Sequence, residues 1–146
     1  PLPADLAAKS ALELNDFAWK RVDPDQTKRQ FGEEPLALAA ARAAVAKIEA
    51  GDKSSELAST LDTLAWALVA NGLDDEAKAT ESRAVEQAPD DKKKDYETYR
   101  ANLERALAAV TGDAGKKALA DLESSLSTIE AGVGKRRQPL VVAQEG

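Results

Sequence analysis

The chain has 146 residues, of which 43% are hydrophobic and only 4% aromatic, with a formal net charge of −6 and no histidine or cysteine. This length suits one domain with a sizeable core, and the acidic balance argues against a general nucleic-acid-binding surface. Without histidine and cysteine the chain lacks the commonest general base, a thiolate nucleophile and the usual zinc ligands, so we expect no enzymatic activity, metal or cofactor. No apolar stretch reaches the roughly 18 residues of a membrane span, so we expect no membrane insertion.

Two helices joined by a long polar loop are predicted in the first part of the chain. A helix over Ala4–Val22 ends where Pro24 disfavours helical backbone at the preceding residue. The loop over 25–34 is polar except for Phe31, which we expect to dock on the helical surface. The second helix covers Pro35–Ala50, because proline suits the first position of a helix.

Three further helices are predicted by apolar residues at helical spacing. The third helix covers Ser55–Asn71 and stops at Gly72, since glycine favours helix termination. The fourth helix follows at once, with Asp74 as its N-cap, and it closes before Pro89. The fifth helix covers Lys92–Thr111.

A sixth helix and a short tail are predicted at the C-terminal end. The helix is built on apolar residues at helical spacing, namely Leu119, Leu122, Leu126 and Ile129. The tail over 135–146 begins with basic residues and continues through a short apolar run, and we expect it to be flexible. The predicted organisation is a single helical domain over 1–134 followed by this tail.

The segment Leu14–Val22 returns later in the chain as Leu61–Val69. Leucine, alanine, tryptophan and valine recur at identical places, and Asn15 of the first copy is replaced by Asp62 in the second. Self-similarity at this scale predicts a helical repeat array, in which each unit buries its apolar face only against its neighbours. Such arrays present extended binding surfaces, so binding is the expected class of activity.

Ala58–Asp91 resembles a tetratricopeptide repeat (TPR), a 34-residue helix–turn–helix unit. Its large, small, glycine and proline positions are matched by Leu61, Leu64, Ala65, Leu68, Gly72, Ala77, Ala84 and Pro89. The family commonly has aromatic residues where this chain has Leu61 and Glu81. The resemblance covers Leu14–Val110 and implies an all-α fold, in which antiparallel helix pairs form a short right-handed solenoid with a C-terminal capping helix.

A narrower resemblance concerns the order of these motifs. Leu-Asn-x-Phe-Ala-Trp, an Asp-Pro loop, an alanine-rich helix and Leu-Asp-Thr-Leu-Ala are similar to the C-terminal repeat region of some bacterial thioredoxin-like disulfide reductases. This similarity implies a soluble bacterial protein of the cytoplasm or periplasm that is part of, or partner to, a larger protein. The redox Cys-x-x-Cys motif belongs to a different domain and is absent here, so no redox activity is implied.

Trp19 and Trp66 occupy the same place in the two copies, away from the stripe that packs each helix pair. With Leu61 at zero on a helical wheel, Trp66 lies about 140° away, whereas the other apolar residues of the stripe lie within about 60°. The TPR resemblance implies that this face lines a concave ligand groove. We therefore predict partner-binding residues there, namely Asn15, Trp19, Asp62, Trp66 and Val69.

Two functions are left open by this pattern. The first is protein or peptide binding, or scaffolding, with the two tryptophans as aromatic anchors. Because Asp62 repels a carboxylate, such a groove favours basic or apolar peptide. The alternative is a structural appendage or oligomerisation domain, in which neighbouring helices or the tail cover the tryptophans and fill the groove from within.

Overall fold

All regular secondary structure in the described part of the chain is helical. The computed structural model describes residues 2–51, 54–111 and 120–126. Its α-helices are α1 (Ala4–Ala7), α2 (Ala11–Val22), α3 (Glu34–Ala50), α4 (Leu57–Ala70), α5 (Asp74–Gln87) and α6 (Lys93–Thr111), with short 3-10 helices at Ser54–Glu56 and Asp90–Lys92. The predicted all-α class is confirmed. Across these described ranges, no helix combines the length and hydropathy that crossing a bilayer requires.

Two compact units divide the chain, Pro1–Leu107 and Ala108–Gly146. The second unit is described at 108–111 and 120–126, both of which are helical. The side chains of Leu122 and Leu126 are 55% and 50% exposed there. The rest of the predicted sixth helix, with Leu119 and Ile129, and the predicted tail over 135–146 lie outside the described residues.

The predicted first helix is in fact two helices, α1 and α2, that are separated at Ser10. The Ser10 hydroxyl accepts a hydrogen bond from the Glu13 backbone N–H at 3.2 Å, and the Ser10 N–H donates to the Glu13 carboxylate at 3.1 Å. These reciprocal bonds form a capping box, which satisfies two backbone donors that a helix start leaves free. The prediction of one continuous helix over Ala4–Val22 is wrong because this helix-start signal takes precedence over the surrounding helical pattern.

The tight turn between α4 and α5 follows from the glycine at its centre. Gly72 has φ +75°, and the N–H of Leu73 donates to the carbonyl of Leu68 at 2.9 Å. This is the Schellman type of helix end, which needs a left-handed residue and so favours glycine. The predicted stop at Gly72 is confirmed, but α5 begins at Asp74 itself and has no side-chain cap, so the predicted N-cap role of Asp74 is wrong.

The core of the first unit contains many buried alanines, which lie where paired helices contact each other. The helix α4 pairs with α5 and also contacts α2 and α3, which pair with each other. The alanines at these contacts are fully buried, which lets helix backbones approach closely, and they include Ala18, Ala37, Ala41, Ala44, Ala65, Ala77 and Ala84. Leu103 and Leu107 of α6 join the same hydrophobic cluster. The helix α6 is therefore part of the core.

Two ion pairs join α3 to α5 on the surface. A guanidinium nitrogen of Arg42 lies 2.9 Å from the Glu76 carboxylate, and one of Arg83 lies 2.6 Å from that of Glu49. All four side chains are exposed, so each pair stabilises the fold by less than about 1 kcal/mol. These ion pairs act on the relative orientation of α3 and α5, because the two helices share few other contacts.

The loop between α2 and α3 is held by its own backbone and not by Phe31. The N–H of Gln30 donates to the carbonyl of Lys20 at 2.8 Å, and Asp25 accepts two hydrogen bonds from Thr27. The Phe31 ring is 61% exposed and only the guanidinium of Arg29 stacks on it, at 4.5 Å from the ring centroid. The prediction that Phe31 docks on the helical surface is therefore wrong.

Close packing at Ala84 provides a direct test of this helix arrangement. Ala84 is 0% exposed, so Ala84→Leu should force extra methylenes into a filled contact and lower the free energy of unfolding by about 1–3 kcal/mol. Ala79, on the exposed side of the same helix, is the matched control, and Ala79→Leu should change it by less than about 0.5 kcal/mol. Equal urea denaturation midpoints for the two variants would contradict the packing described.

Candidate functional site

The exposed side of α2 brings together one apolar, one polar and one aromatic residue. Trp19 and Asn15 are half-buried, and Leu12 is 43% exposed. Leu12 and Trp19 are seven residues apart and so lie within about 20° of each other around the helix. The side-chain oxygen of Asn15 is buried and accepts no hydrogen bond. Leu12 was missed from the sequence, although its spacing from Trp19 was available to find it.

The equivalent side of α4 is much less exposed. Trp66 is only 8% exposed and belongs to the hydrophobic cluster, while Asp62 and Val69 are half-buried. The expectation that Trp66 stands in an open groove is wrong, because α4 is surrounded by helices on several sides. Trp66 therefore belongs to the hydrophobic core, whereas Trp19 on α2 is only half-buried.

Asp62 of α4 and Glu81 of α5 form an acidic pair next to Trp66. Glu81 is 0% exposed, and neither of its carboxyl oxygens receives a hydrogen bond from a donor. One oxygen of Asp62 is equally buried and equally without a donor. A buried carboxyl without partners is costly, because it has lost its hydration and gained nothing in return.

The two carboxyl groups resolve part of this cost by sharing a proton. Burial first, and the neighbouring Asp62 charge second, raise the pKa of Glu81 to about 9. Burial also raises the pKa of Asp62 to about 6, although hydrogen bonds from Glu81 and Trp66 act in the opposite direction. At neutral pH, Glu81 is thus the protonated member and donates to the Asp62 carboxylate.

Aromatic side chains border the acidic pair. Tyr96 of α6 is half-buried, and burial, then the charge of Asp62, raise its pKa to about 12. Tyr99 packs edge-on against it, with ring centroids 5.1 Å apart. The Tyr96 phenol is therefore neutral at physiological pH and offers a ring face and a hydroxyl, not a charge.

Among the described residues, no cation pairs with the acidic carboxyls. The charge of Arg100 of α6 lowers the pKa of Glu81, but it is the smallest of the influences on that group. Its guanidinium instead lies 3.9 Å from the carboxylate of Glu104, one turn along the same helix. Within the part of the chain that the structure describes, neither Asp62 nor Glu81 forms an ion pair.

The sequence did not reveal this pair. Asp62 was singled out for its place on the predicted groove, and Glu81 only as a charged residue where the TPR family commonly has an aromatic one. No spacing rule connects them, because they stand on different helices and meet only once α4 and α5 pack. The useful signal was a charge at a position that the repeat pattern predicts to be buried.

Paired carboxyls with separated pKa values also occur at acid–base catalytic sites. Here the protonated member is fully buried, so a substrate atom does not reach it in this arrangement. Among the described residues, no group of three or more candidate metal-ligating side chains comes together. What the surface does offer is the exposed Leu12 beside the half-buried Trp19, next to the polar Asn15.

Comparison with known proteins yields no relative. No protein-family model, no curated protein and no solved structure matches the chain.

Proposed function

We propose that the chain is a non-catalytic module that binds a protein or peptide across one surface. This surface, the binding face, consists of Leu12, Asn15 and Trp19 of α2 and Asp62, Trp66 and Val69 of α4. The observation that carries the proposal is the exposed Leu12 beside the half-buried Trp19 on α2, a helix in contact with α4. Adjacent apolar and aromatic side chains that stay partly in solvent are typical of protein interaction sites.

The arrangement we propose for this module is a short TPR-like solenoid with α6 as its capping helix. Three observations support it: the repeated Leu-x-x-Leu/Phe-Ala-Trp pattern, the alanine contacts within each helix pair, and the contact of α2 with α4. In this arrangement α2 and α4 are the first helices of successive units, so their exposed sides form one continuous surface.

A second candidate function is supported by the burial of Trp66. The helix α6 contributes Leu103 and Leu107 to the cluster that holds Trp66, and Tyr96 borders Asp62. Through these contacts, side chains of α6 cover part of the surface around Trp66 and Asp62. A structural appendage that positions another domain is expected to cover its groove in this way. The accessible part of Trp19 and the exposed Leu12 favour the binding module instead, since adjacent exposed apolar side chains mark interaction sites more often than isolated ones do.

Selection from a random-peptide display library tests the binding function. Peptides enriched on the wild-type chain should lose about 2 kcal/mol or more of binding free energy with Trp19→Ala, as for an aromatic hot spot. Phe31→Ala is the matched control, because it removes an exposed aromatic ring that is not part of the binding face. Affinities would be measured by fluorescence anisotropy on synthetic copies of the enriched peptides.

Two results would count against this proposal. The first is a selection that enriches no peptide over an unrelated helical protein. The second is a set of peptides whose affinity falls equally with Trp19→Ala and Phe31→Ala, because that pattern places binding elsewhere. Either result leaves the structural appendage as the better account of the fold.

A further inference from the structure

We propose that the partner of this chain is an amphipathic helix that carries basic side chains among its apolar ones. This inference rests on the proposed binding function and adds the chemistry of the partner. It starts from four residues that form one line along the exposed side of α2 and its C-cap, namely Leu12, Asp16, Trp19 and Asp23. They stand four, three and four residues apart, which places them within about 60° of one another around the helix. We call this line the α2 stripe.

Every member of the α2 stripe keeps part of its surface in solvent. Leu12 is 43% exposed and Asp16 is exposed, while Trp19 and Asp23 are half-buried. The stripe therefore alternates apolar and acidic side chains along about 16 Å of helix. A partner reaches all four residues without any movement of the helices.

The chain leaves the two carboxylates of the α2 stripe without a cation. Across the described residues, neither Asp16 nor Asp23 forms an ion pair, although Lys20 stands one turn beyond Asp16. Arg21 is engaged elsewhere, since its guanidinium lies 3.2 Å from the Glu33 carboxylate. The two charges therefore remain available to basic side chains of a partner, and the formal net charge of −6 adds a general attraction for basic segments.

A basic amphipathic helix matches the α2 stripe in chemistry and in spacing. Its apolar residues contact Leu12 and Trp19, and its lysine or arginine side chains reach Asp16 and Asp23. Residues on one side of a helix recur every three or four positions, about 4.5–6 Å along the axis, as the stripe residues do. An extended strand returns to the same side only every 6.6 Å or about that, so it loses register along the stripe.

A second copy of the chain matches the α2 stripe less well. In a symmetric dimer built on this stripe, the same surface of each protomer meets itself. Asp16 and Asp23 of one protomer then lie against the same acidic line of the other. Like charges across an interface weaken association, so a basic partner is the better occupant.

The test compares two focused display libraries that share the same apolar positions on a helical peptide scaffold. The basic library carries lysine or arginine between the apolar positions, and the acidic library carries aspartate or glutamate there. Both libraries are selected on the full chain, and we expect enrichment from the basic library alone. Affinities of the enriched peptides are then measured by fluorescence anisotropy on synthetic copies.

Charge substitutions in the α2 stripe identify the contact. Asp16→Asn and Asp23→Asn keep the side-chain shape, and the second keeps an oxygen for the hydrogen bond that the Asp25 N–H donates at 2.9 Å. Each should weaken binding of an enriched basic peptide by about threefold, and Asp16→Lys by about tenfold or more, because it places like charges together. Asp75→Asn, which removes an exposed charge from α5, is the matched control and should leave the affinity unchanged.

Three results would overturn this inference and leave the binding function standing. The first is equal enrichment from the acidic library, and the second is enrichment of Trp19-dependent peptides from the random library when neither focused library yields any. The third is a basic peptide that binds Asp16→Lys as tightly as the wild-type chain. A random library that also yields nothing would remove the binding function itself. Self-association of the chain that Trp19→Ala abolishes would make a second copy the occupant and refute the basic helix.

Discussion

Raising the pH from about 7 to about 8 should lower the free energy of unfolding of the wild-type chain by about 1.4 kcal/mol. Glu81 holds its proton in the folded chain up to about pH 9, whereas the unfolded chain releases it near the ordinary value of 4.5. Between these values the folded state binds more protons, so each rise in pH favours unfolding. The stabilisation is complete below the unfolded pKa and is lost as the pH approaches the folded pKa.

Glu81→Gln is the matched control for this pH dependence. Glutamine keeps the shape of the side chain and donates to Asp62 without a titrating proton. The chain has no histidine and no cysteine, and Asp62, with its pKa raised to about 6, affects the slope only near pH 6. The slope measured by urea denaturation between about pH 7 and 8 should therefore almost vanish in Glu81→Gln. An equal slope in both proteins would show that Glu81 is not the group responsible.

Trp66→Ala should destabilise the chain as strongly as truncation of a core leucine. Trp66 is 8% exposed and Leu64, on the same helix, is 9% exposed. From these burials we expect losses of about 3–5 kcal/mol for Trp66→Ala and about 2–5 kcal/mol for Leu64→Ala. Trp19→Ala, at the equivalent but half-buried position of α2, should cost clearly less. Urea denaturation of the three variants at one pH makes the comparison.

The outcome of that comparison separates the two tryptophans. If Trp66→Ala costs no more than Trp19→Ala, Trp66 is not held by the core, and it regains the role of an exposed anchor that its place in the repeat suggested. If Trp19→Ala is instead as damaging as Leu64→Ala, the face is closed at α2 as well. In that case the structural appendage is the correct function.

Sequence periodicity predicted the helices and most of their contacts. Helical spacing and the alanine positions are local properties, so α3 to α6 and the burial of Ala65, Ala77 and Ala84 followed from them. The break at Ser10 was also available, since serine followed three residues later by glutamate is a recognised helix-start signal. It was outweighed by the long helical pattern around it.

The candidate site depended on tertiary packing and was only partly predictable. Asn15, Trp19 and Asp62 were predicted to share one face, because a helical wheel determines directions around each helix. Burial of Trp66 required knowledge of which helices surround α4, which no single helix contains. The proximity of Glu81 to Asp62 arises from the pairing of α4 with α5, so the chemistry of the site became visible only in three dimensions.

Glu81 is a buried carboxyl that keeps its proton at neutral pH and shares it with Asp62. The most direct test follows the side-chain carboxyl carbon of Glu81 by ¹³C NMR as a function of pH. We predict a titration midpoint far above the ordinary glutamate value. A midpoint near the ordinary glutamate value would contradict the account.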